Sequence, residues 1–466
     1  MSTFSKAVED QEARTENDMK AFKSSISKNV DLFYKIGASR GKDIIPDFIS
    51  AYVENPELAL RVAQWARDVR GGAGERQLFR DIFSYLEKND PEYAIALIGR
   101  IPEIGRWDDL LIDYSNLKVR SEAHAFYFQE VLNGNKLAAK WAPRKGPKAA
   151  ELRGSWGLTA RQYRKLLVRN TEVVEQLMCA NKWNVINFEK VPSLASARYK
   201  TAFYRNAEEA FTKYVEKLTK GEAKVNAGAV YPYDIVKGLC TFNQVEMSHV
   251  VAQWNALPNY IGDASILPMV DVSGSMGCSA GNSKTVSCMD VAVSLGMYCS
   301  EKNTGKFKDL ILTFSADPQL ISLKGNIVQR YYQLKHANWG MNTNLHKAFN
   351  KILSVAVQGE VPQEEMPEIL LIMSDMQFDS CTVFDDSAHE MISRKYKAAG
   401  YNMPKIVFWN LNSYDNVSVR YDTSGTALVS GFSPAIMKAV LSADMEEFTP
   451  ESVMLKAIMI DRYALG

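Results

Sequence analysis

The sequence predicts a chain of two unlike halves: an all-α helical-repeat domain over residues 26–256, then a doubly wound α/β domain over residues 257–466. Three observations carry this prediction. From Asn29 onward, apolar residues recur at helical spacing in stretches of about ten to fifteen, separated by short Gly, Pro or Asn turns. From Ile266 onward, short continuous apolar runs alternate with amphipathic stretches, which is the signature of a parallel sheet with crossover helices. Charge divides the chain in the same way: residues 136–205 hold 15 basic and 4 acidic residues, residues 257–466 hold 17 and 22, and the whole chain is +1.

At 466 residues the chain exceeds one ordinary core. No apolar run approaches the roughly 18–20 residues that span a bilayer, and the polar, acidic stretch from Met1 to Asp10 has no apolar signal core. The expected location is therefore cytoplasmic, without membrane contact. The cysteines, Cys179, Cys240, Cys278, Cys288, Cys299 and Cys381, show no Cys-x-x-Cys pair and fit a reducing compartment. Cys278 lies near the metal loop discussed below, but a thiol suits a hard cation poorly and is read as incidental. The five histidines are scattered, and no zinc-protease, nucleophile-elbow or phosphate-loop motif occurs.

Residues 1–25, polar and poor in large apolar side chains, are expected to form a flexible arm. Helical pieces follow at Asn29–Gly37 and Ile44–Val53. Asn55-Pro56-Glu57 opens the next helix with Pro in its first turn, and Leu58, Val62 and Trp65 give that helix its apolar face. Gly71-Gly72-Ala73-Gly74 breaks the pattern, Glu75–Leu86 resumes it, and Asn89-Asp90-Pro91-Glu92 starts another helix through Ile98. Short helices with short turns suggest stacked helical hairpins. In the second half, Ile266–Val270, Asp309–Phe314, Glu368–Ser374 and Lys405–Leu411 read as buried strands, and Val286–Ser300, Leu345–Val357 and His389–Ala399 as helices.

The strand Ile266–Val270 ends in Asp271-Val-Ser273-Gly-Ser275, at the sheet edge where open α/β folds bind ligands. Hard oxygen donors of this kind suit a divalent metal ion, Mg2+ above all. About seventy residues on, Asn338-Trp-Gly-Met-Asn-Thr343-Asn344 adds a hydroxyl, and the strand Glu368–Ser374 then ends in Asp375. Helix capping by Asp and Ser is the alternative reading of these positions. In this order and spacing they resemble the metal-ion-dependent adhesion site of von Willebrand factor A domains. The resemblance implies that Ser273, Ser275 and Thr343 touch the metal and that Asp271 and Asp375 act mostly through water. It also implies a sixth position open to a carboxylate from a protein partner, a binding device rather than an enzyme.

In residues 136–205, Trp141, Trp156, Tyr163, Trp183, Tyr199, Phe203 and Tyr204 are interleaved with the cations. Cations that follow a phosphate backbone and rings that stack on bases together suit single-stranded RNA; the other reading makes the rings core anchors and the cations a solvated face. Candidate RNA contacts are Arg106, Lys140, Trp141, Arg144, Lys145, Lys148, Arg161, Arg164, Lys165, Arg198, Lys200 and Arg205.

Helical repeats with Gly105-Arg106-Trp-Asp-Asp-Leu110, a basic stretch, Tyr233-Asp-Ile-Val-Lys-Gly-Leu239 and an A-type domain resemble the architecture of the Ro autoantigen family. Its TROVE-type HEAT-like domain implies binding of small non-coding, single-stranded or misfolded RNA. Trp141-Ala-Pro-Arg144-Lys145, Leu158–Leu167 and Asn187–Ser193 look closer to an uncharacterised TROVE-like branch. A scaffold that clamps an acidic protein partner through the metal, without RNA, is the alternative function. With no placed general base, the sequence is not read as that of an enzyme.

Overall fold

The computed structural model describes residues 12–240, 243–281, 283–314, 318–336, 344–379, 387–412, 414, 416–443 and 446–465. The expected flexible arm is ordered from residue 12, a correction with a clear physical cause. Strands β1 (Glu12–Arg14) and β2 (Lys20–Phe22) pair as a small antiparallel hairpin. The Thr15 hydroxyl donates to the Phe378 carbonyl (2.6 Å), and Phe22 and Val417 exchange both main-chain hydrogen bonds (2.9 and 2.8 Å). Met19 and Ala21 are buried by this docking, so backbone pairing replaces the large apolar anchors that the segment lacks.

The helical half runs through α1 (Lys28–Ile36), α2 (Ile45–Glu54), α3 (Pro56–Arg67), α4 (Arg76–Asn89), α5 (Pro91–Leu97) and α6 (Ile101–Ile104). It continues through α7 (Leu117–Leu132), α8 (Lys136–Trp141), α9 (Gly146–Ser155), α10 (Ala160–Asn170), α11 (Val174–Cys179), α12 (Ser193–Asn206), α13 (Glu208–Thr219), α14 (Pro232–Val236) and α15 (Gln244–Asn255). The starts follow from local chemistry. Asn55 and Asp90 accept the Leu58 and Tyr93 N–H groups just ahead of Pro56 and Pro91, and Asn116, Asn135 and Thr159 cap their helices likewise.

The Gly105–Leu110 element is a structural clamp. Asp109, fully buried, accepts from Arg67 Nε (2.7 Å), Arg80 Nε (2.8 Å) and the Arg106 N–H (2.9 Å). Arg67 is itself buried, so the two charges satisfy each other out of water. Position 105 must be glycine, because a Cβ there would lie 2.6 Å from Asp109 Oδ2 and 2.7 Å from Arg67 Nε.

The second half is a six-stranded sheet of β3 (Ile266–Asp271), β4 (Leu310–Phe314), β5 (Gln319–Ser322), β6 (Ile369–Ser374), β7 (Lys405–Asn410) and β8 (Thr426–Ser430). Its order is β5-β4-β3-β6-β7-β8, all parallel except the antiparallel edge strand β5. Helices α16 (Cys288–Lys302), α17 (Ile327–Lys335), α18 (Leu345–Gln358), α19 (Ala388–Ala398), α20 (Met437–Ser442) and α21 (Pro450–Ile458) accompany it. A helical domain followed by a doubly wound α/β domain is the predicted fold class. The halves share one buried core: α1 packs on β8, where Ser430 Oγ accepts from the Gly37 N–H (3.0 Å) and donates to the Phe33 carbonyl (3.1 Å). The chain's end returns to α3, with Arg462 and the Tyr463 hydroxyl both bonded to Asp68.

Candidate functional site

Strands β3 and β6 are neighbours, in parallel register from Ile266 with Ile369 to Val270 with Met373. The chain leaves β3 toward β4 on one side while β6 lies on the other, so their carboxyl ends flank a topological switch point, the usual ligand crevice of such sheets. Every residue of both strands is buried, which forces the polar side chains at their ends to bond one another. Asp271 Oδ1 accepts the Ser273 N–H (2.9 Å), and Asp271 Oδ2 accepts the Ser374 hydroxyl (2.5 Å). The Ser273 and Ser275 hydroxyls lie 3.0 Å apart. Met376, immediately after Asp375, holds φ at +63°, a left-handed conformation that a side chain of this size adopts at some cost.

The site is short of positive charge. Burial pushes the Asp271 carboxyl up to about 7, and the charge of Asp375 adds to the effect. Burial likewise raises Asp375, and the Glu16 carboxylate raises it further. Asp375 Oδ1 accepts the Gln377 N–H at 3.2 Å, whereas Oδ2 is buried without a hydrogen-bond partner among the described residues. Neither aspartate forms a salt bridge among the described residues. Two buried carboxylates, an orphaned carboxylate oxygen and two hydroxyls are hard donors, and this set fits a hard divalent cation. Among the described residues no group of three or more His, Cys, Asp or Glu is gathered, so the set depends on hydroxyls as well as carboxylates. Thr343 lies outside the described residues. Glu16, which the sequence did not single out, stands at the rim: its N–H donates to Gln377 Oε1 (2.7 Å), and Asn17 Nδ2 donates to the Gln377 carbonyl (2.7 Å).

The basic segment separates into committed and free cations. Arg106 is held by both Asp108 oxygens (2.9 and 2.7 Å) and lies 4.0 Å over the Trp141 ring, so it closes that ring's face. Lys140 pairs with Glu175 (3.2 Å), Lys148 with Asp113 (2.7 Å) and Glu151 (3.3 Å), and Arg144 donates to Thr171 Oγ1 (2.9 Å). The aromatic rings of the segment take the core-anchor reading. Trp156, Tyr163 and Phe203 are buried, and Trp183, Tyr199 and Tyr204 pack against a satellite core built around Phe188, Phe203 and Phe211. Aromatic area is worth more inside these thin helical layers than in solvent.

What remains is a stripe on α10. Arg161, Arg164, Lys165 and Arg169 are all exposed, spaced i, i+3, i+4 and i+8, opposite the buried Tyr163 and Leu167. Among the described residues none of the four has an acidic partner, and α10 itself contains no Asp or Glu. Lys145 is exposed ahead of α9, and Arg198 and Arg205 are exposed on α12, where Lys200 is half-buried. Arg169 joins the candidates through its place on the α10 face, a helical-spacing signal the sequence already carried.

The family model described as Domain of unknown function (DUF2828) matches residues 15–133 and 148–267, just over half of the chain. The chain belongs to the DUF2828 family. A second model, Domain of unknown function (DUF7788), matches residues 265–459, so the DUF2828 match ends where β3 begins. A relative, Uncharacterized protein L728 of Acanthamoeba polyphaga mimivirus, is 30% identical over 506 residues, covering 95% of this chain and 86% of that protein. Among solved structures, the crystal structure of the Deinococcus radiodurans Ro (RSR) protein is similar with a TM-score of 0.48 and 14% identity, over 94% of this chain and 100% of that one. Among the described residues no helix is long and apolar enough to cross a membrane.

Proposed function

We propose that this protein binds single-stranded or small non-coding RNA along the exposed face of α10, and that its sheet domain holds a divalent cation to which a second, acidic partner attaches. The observation that carries the RNA reading is the four-cation stripe Arg161, Arg164, Lys165 and Arg169, which has no acidic neighbour on its own helix. Uncompensated cations at helical spacing repel one another and are stabilised by a polyanion laid across them. At the sheet, Ser273 and Ser275 would hold Mg2+ directly, Asp271 and Asp375 would neutralise it, and Thr343 would complete the protein's share. The bound cation would supply a Lewis-acidic position for a carboxylate.

Burial of Trp156, Tyr163 and Phe203, with Trp183, Tyr199 and Tyr204 packed against a core, favours a second reading, a protein scaffold without RNA, because it leaves few ring faces for single-strand stacking in the basic segment. One experiment separates the two. Purified full-length protein is crosslinked to RNA in cells and the RNA sequenced, beside a variant with all four α10 cations changed to Glu. Enrichment of defined RNAs that the variant loses supports RNA binding on α10; equal recovery from both proteins refutes that placement, and recovery from neither supports the scaffold.

A further inference from the structure

Cys278 and Cys288 are ten residues apart and meet across a short hairpin. The Cys288 N–H donates to the Cys278 carbonyl (3.0 Å) and the Ala280 N–H to the Val286 carbonyl (2.9 Å), with Ser279 opposite Ser287 between them. One main-chain bond of such a ladder position therefore joins the two cysteines, the Cys278 N–H turning back to the Ser275 carbonyl (3.2 Å), and residues facing each other at a hydrogen-bonded ladder position have Cα atoms about 5.5 Å apart. That separation falls within the range a disulfide spans. Their sulfurs already lie 3.4 Å from each other.

The two thiols differ in a useful way. Cys278 is half-exposed and its sulfur accepts from Asn412 Nδ2 (3.5 Å), whereas Cys288 is buried with its sulfur against the Leu411 carbonyl (3.4 Å). A sulfur that solvent can reach, with a buried sulfur in contact behind it, is the arrangement of an attacking and a resolving cysteine.

We propose that Cys278 and Cys288 are a peroxide-sensitive dithiol that closes to a disulfide and fixes the metal loop to the start of α16. The Cys278 thiolate attacks one peroxide oxygen; the O–O bond breaks, the departing hydroxide takes a proton to become water, and Cys278 becomes a sulfenic acid. The Cys288 sulfur then attacks Cys278, the S–S bond forms as the S–O bond breaks, and the hydroxyl leaves with the Cys288 proton as a second water. In sum the dithiol loses two electrons and two protons, and the peroxide is reduced to two waters. A dithiol reductant reverses the step by exchange. Cys278 directly follows the 3-10 turn Gly274–Gly277, which carries Ser275, and Cys288 is the first residue of α16. The bond would thus brace the loop that presents both serine hydroxyls, and this consequence rests on the cation reading above.

The test uses reduced, full-length protein and dilute hydrogen peroxide. Expected are a mass loss of about 2 Da, a non-reducing peptide map joining the segments with Cys278 and Cys288, and full reversal by dithiothreitol. In Cys288→Ser, dimedone should trap Cys278 as a sulfenic acid; in Cys278→Ser, the other cysteines should outlast this dose. Peroxide that leaves both thiols free, or oxidises another cysteine first, overturns the proposal. Mn2+ titration of the reduced and oxidised forms reads the consequence: an affinity change of threefold or more supports bracing of the loop, and equal affinities overturn that part. Failure of both forms to bind Mn2+ would remove the cation reading and leave the disulfide standing.

Discussion

Replacing Arg161, Arg164, Lys165 and Arg169 together by Gln gives the sharpest quantitative test. Gln is nearly as good a helix former as Arg or Lys, and the four side chains break no ion pair among the described residues, so α10 should fold unchanged. Each phosphate neutralised on a single strand contributes about 0.7 to the slope of log affinity against log salt, so four contacts contribute about 2.8. Between 50 and 200 mM salt, a fourfold change, those contacts alone cost the wild-type protein about fifty-fold in affinity.

Fluorescence anisotropy with a labelled single strand of random sequence, about twenty nucleotides long and titrated across that salt range, reads both slopes. The expected result is a slope shallower by 2 to 3 in the variant, with the far-ultraviolet dichroism unchanged. A matched control removes four charges elsewhere, at the exposed Lys308, Lys324, Lys351 and Lys397 of the sheet domain, and should leave the slope alone. Slopes that differ by less than 1 would refute the placement on α10. A control variant that loses as much as the α10 variant would reduce the effect to net charge.

Asp109→Asn should destabilise the protein by about 3–5 kcal/mol in urea unfolding, because it strips the counter-charge from the buried Arg67. Asp271→Asn should do the reverse in metal-free buffer. The folded-state Asp271 holds its proton up to about 7, well above the unfolded value, so its contribution to stability is present at low pH and lost as pH rises through 7. With the charge removed, thermal unfolding in EDTA should lose that decline between about pH 4 and 7, and Mn2+ binding should vanish. Ser275→Ala should weaken Mn2+ at least tenfold, while lost bonding to Ser273 costs the metal-free fold only about 1 kcal/mol. Gly37→Ala should cost about 1–3 kcal/mol by overpacking, since its Cβ would meet the Ser430 carbonyl oxygen at 2.4 Å.

The fold class was legible because its signals are local. Asn55-Pro56 and Asp90-Pro91 state where helices begin, and Ile266–Asp271 and Ile369–Ser374 are apolar runs that stop at a carboxylate or hydroxyl. Strands β5 and β8 escaped the reading for different reasons. Edge strand β5 is four residues long and half-exposed, while β8 is a small-residue run, Thr-Ala-Leu-Val-Ser, whose burial comes from α1 and α21 packing over it. At the site, Asp271, Ser273, Ser275 and Asp375 were visible because each sits at or just beyond a strand end. Partners fixed by long-range folding were not: the neutralisation of Lys140 by Glu175 and of Lys148 by Asp113 needs the helices stacked, and the rim position of Glu16 needs the hairpin docked. The Cys278–Cys288 contact is short in sequence but depends on main-chain pairing of the segments that flank it, which the cysteine spacing alone does not announce.

The two proposed sites are held on one body by the same hairpin that carries the dithiol. At Gly281, φ +61°, the backbone passes so near the helical half that a Cβ would lie 2.4 Å from Arg40 Cγ, and Lys237 reaches Thr285 Oγ1 at 3.4 Å. Arg40 in turn pairs with the buried Glu75 (2.6 Å) and lies 4.6 Å over the Phe432 ring, so it cannot swing away without leaving Glu75 unpaired. Breaking such a buried pair costs about 3–5 kcal/mol, enough to keep this junction from sliding at room temperature. The junction ties the helical half, which carries α10, to the sheet half, which carries the cation site. An RNA bound with its own acidic protein could then engage both at once, and the second contact would form at the effective concentration of a tethered partner. Under the proposed function, affinity for such a complex should exceed that for either component alone, and disrupting the junction at Arg40 should remove the excess while leaving each separate affinity in place.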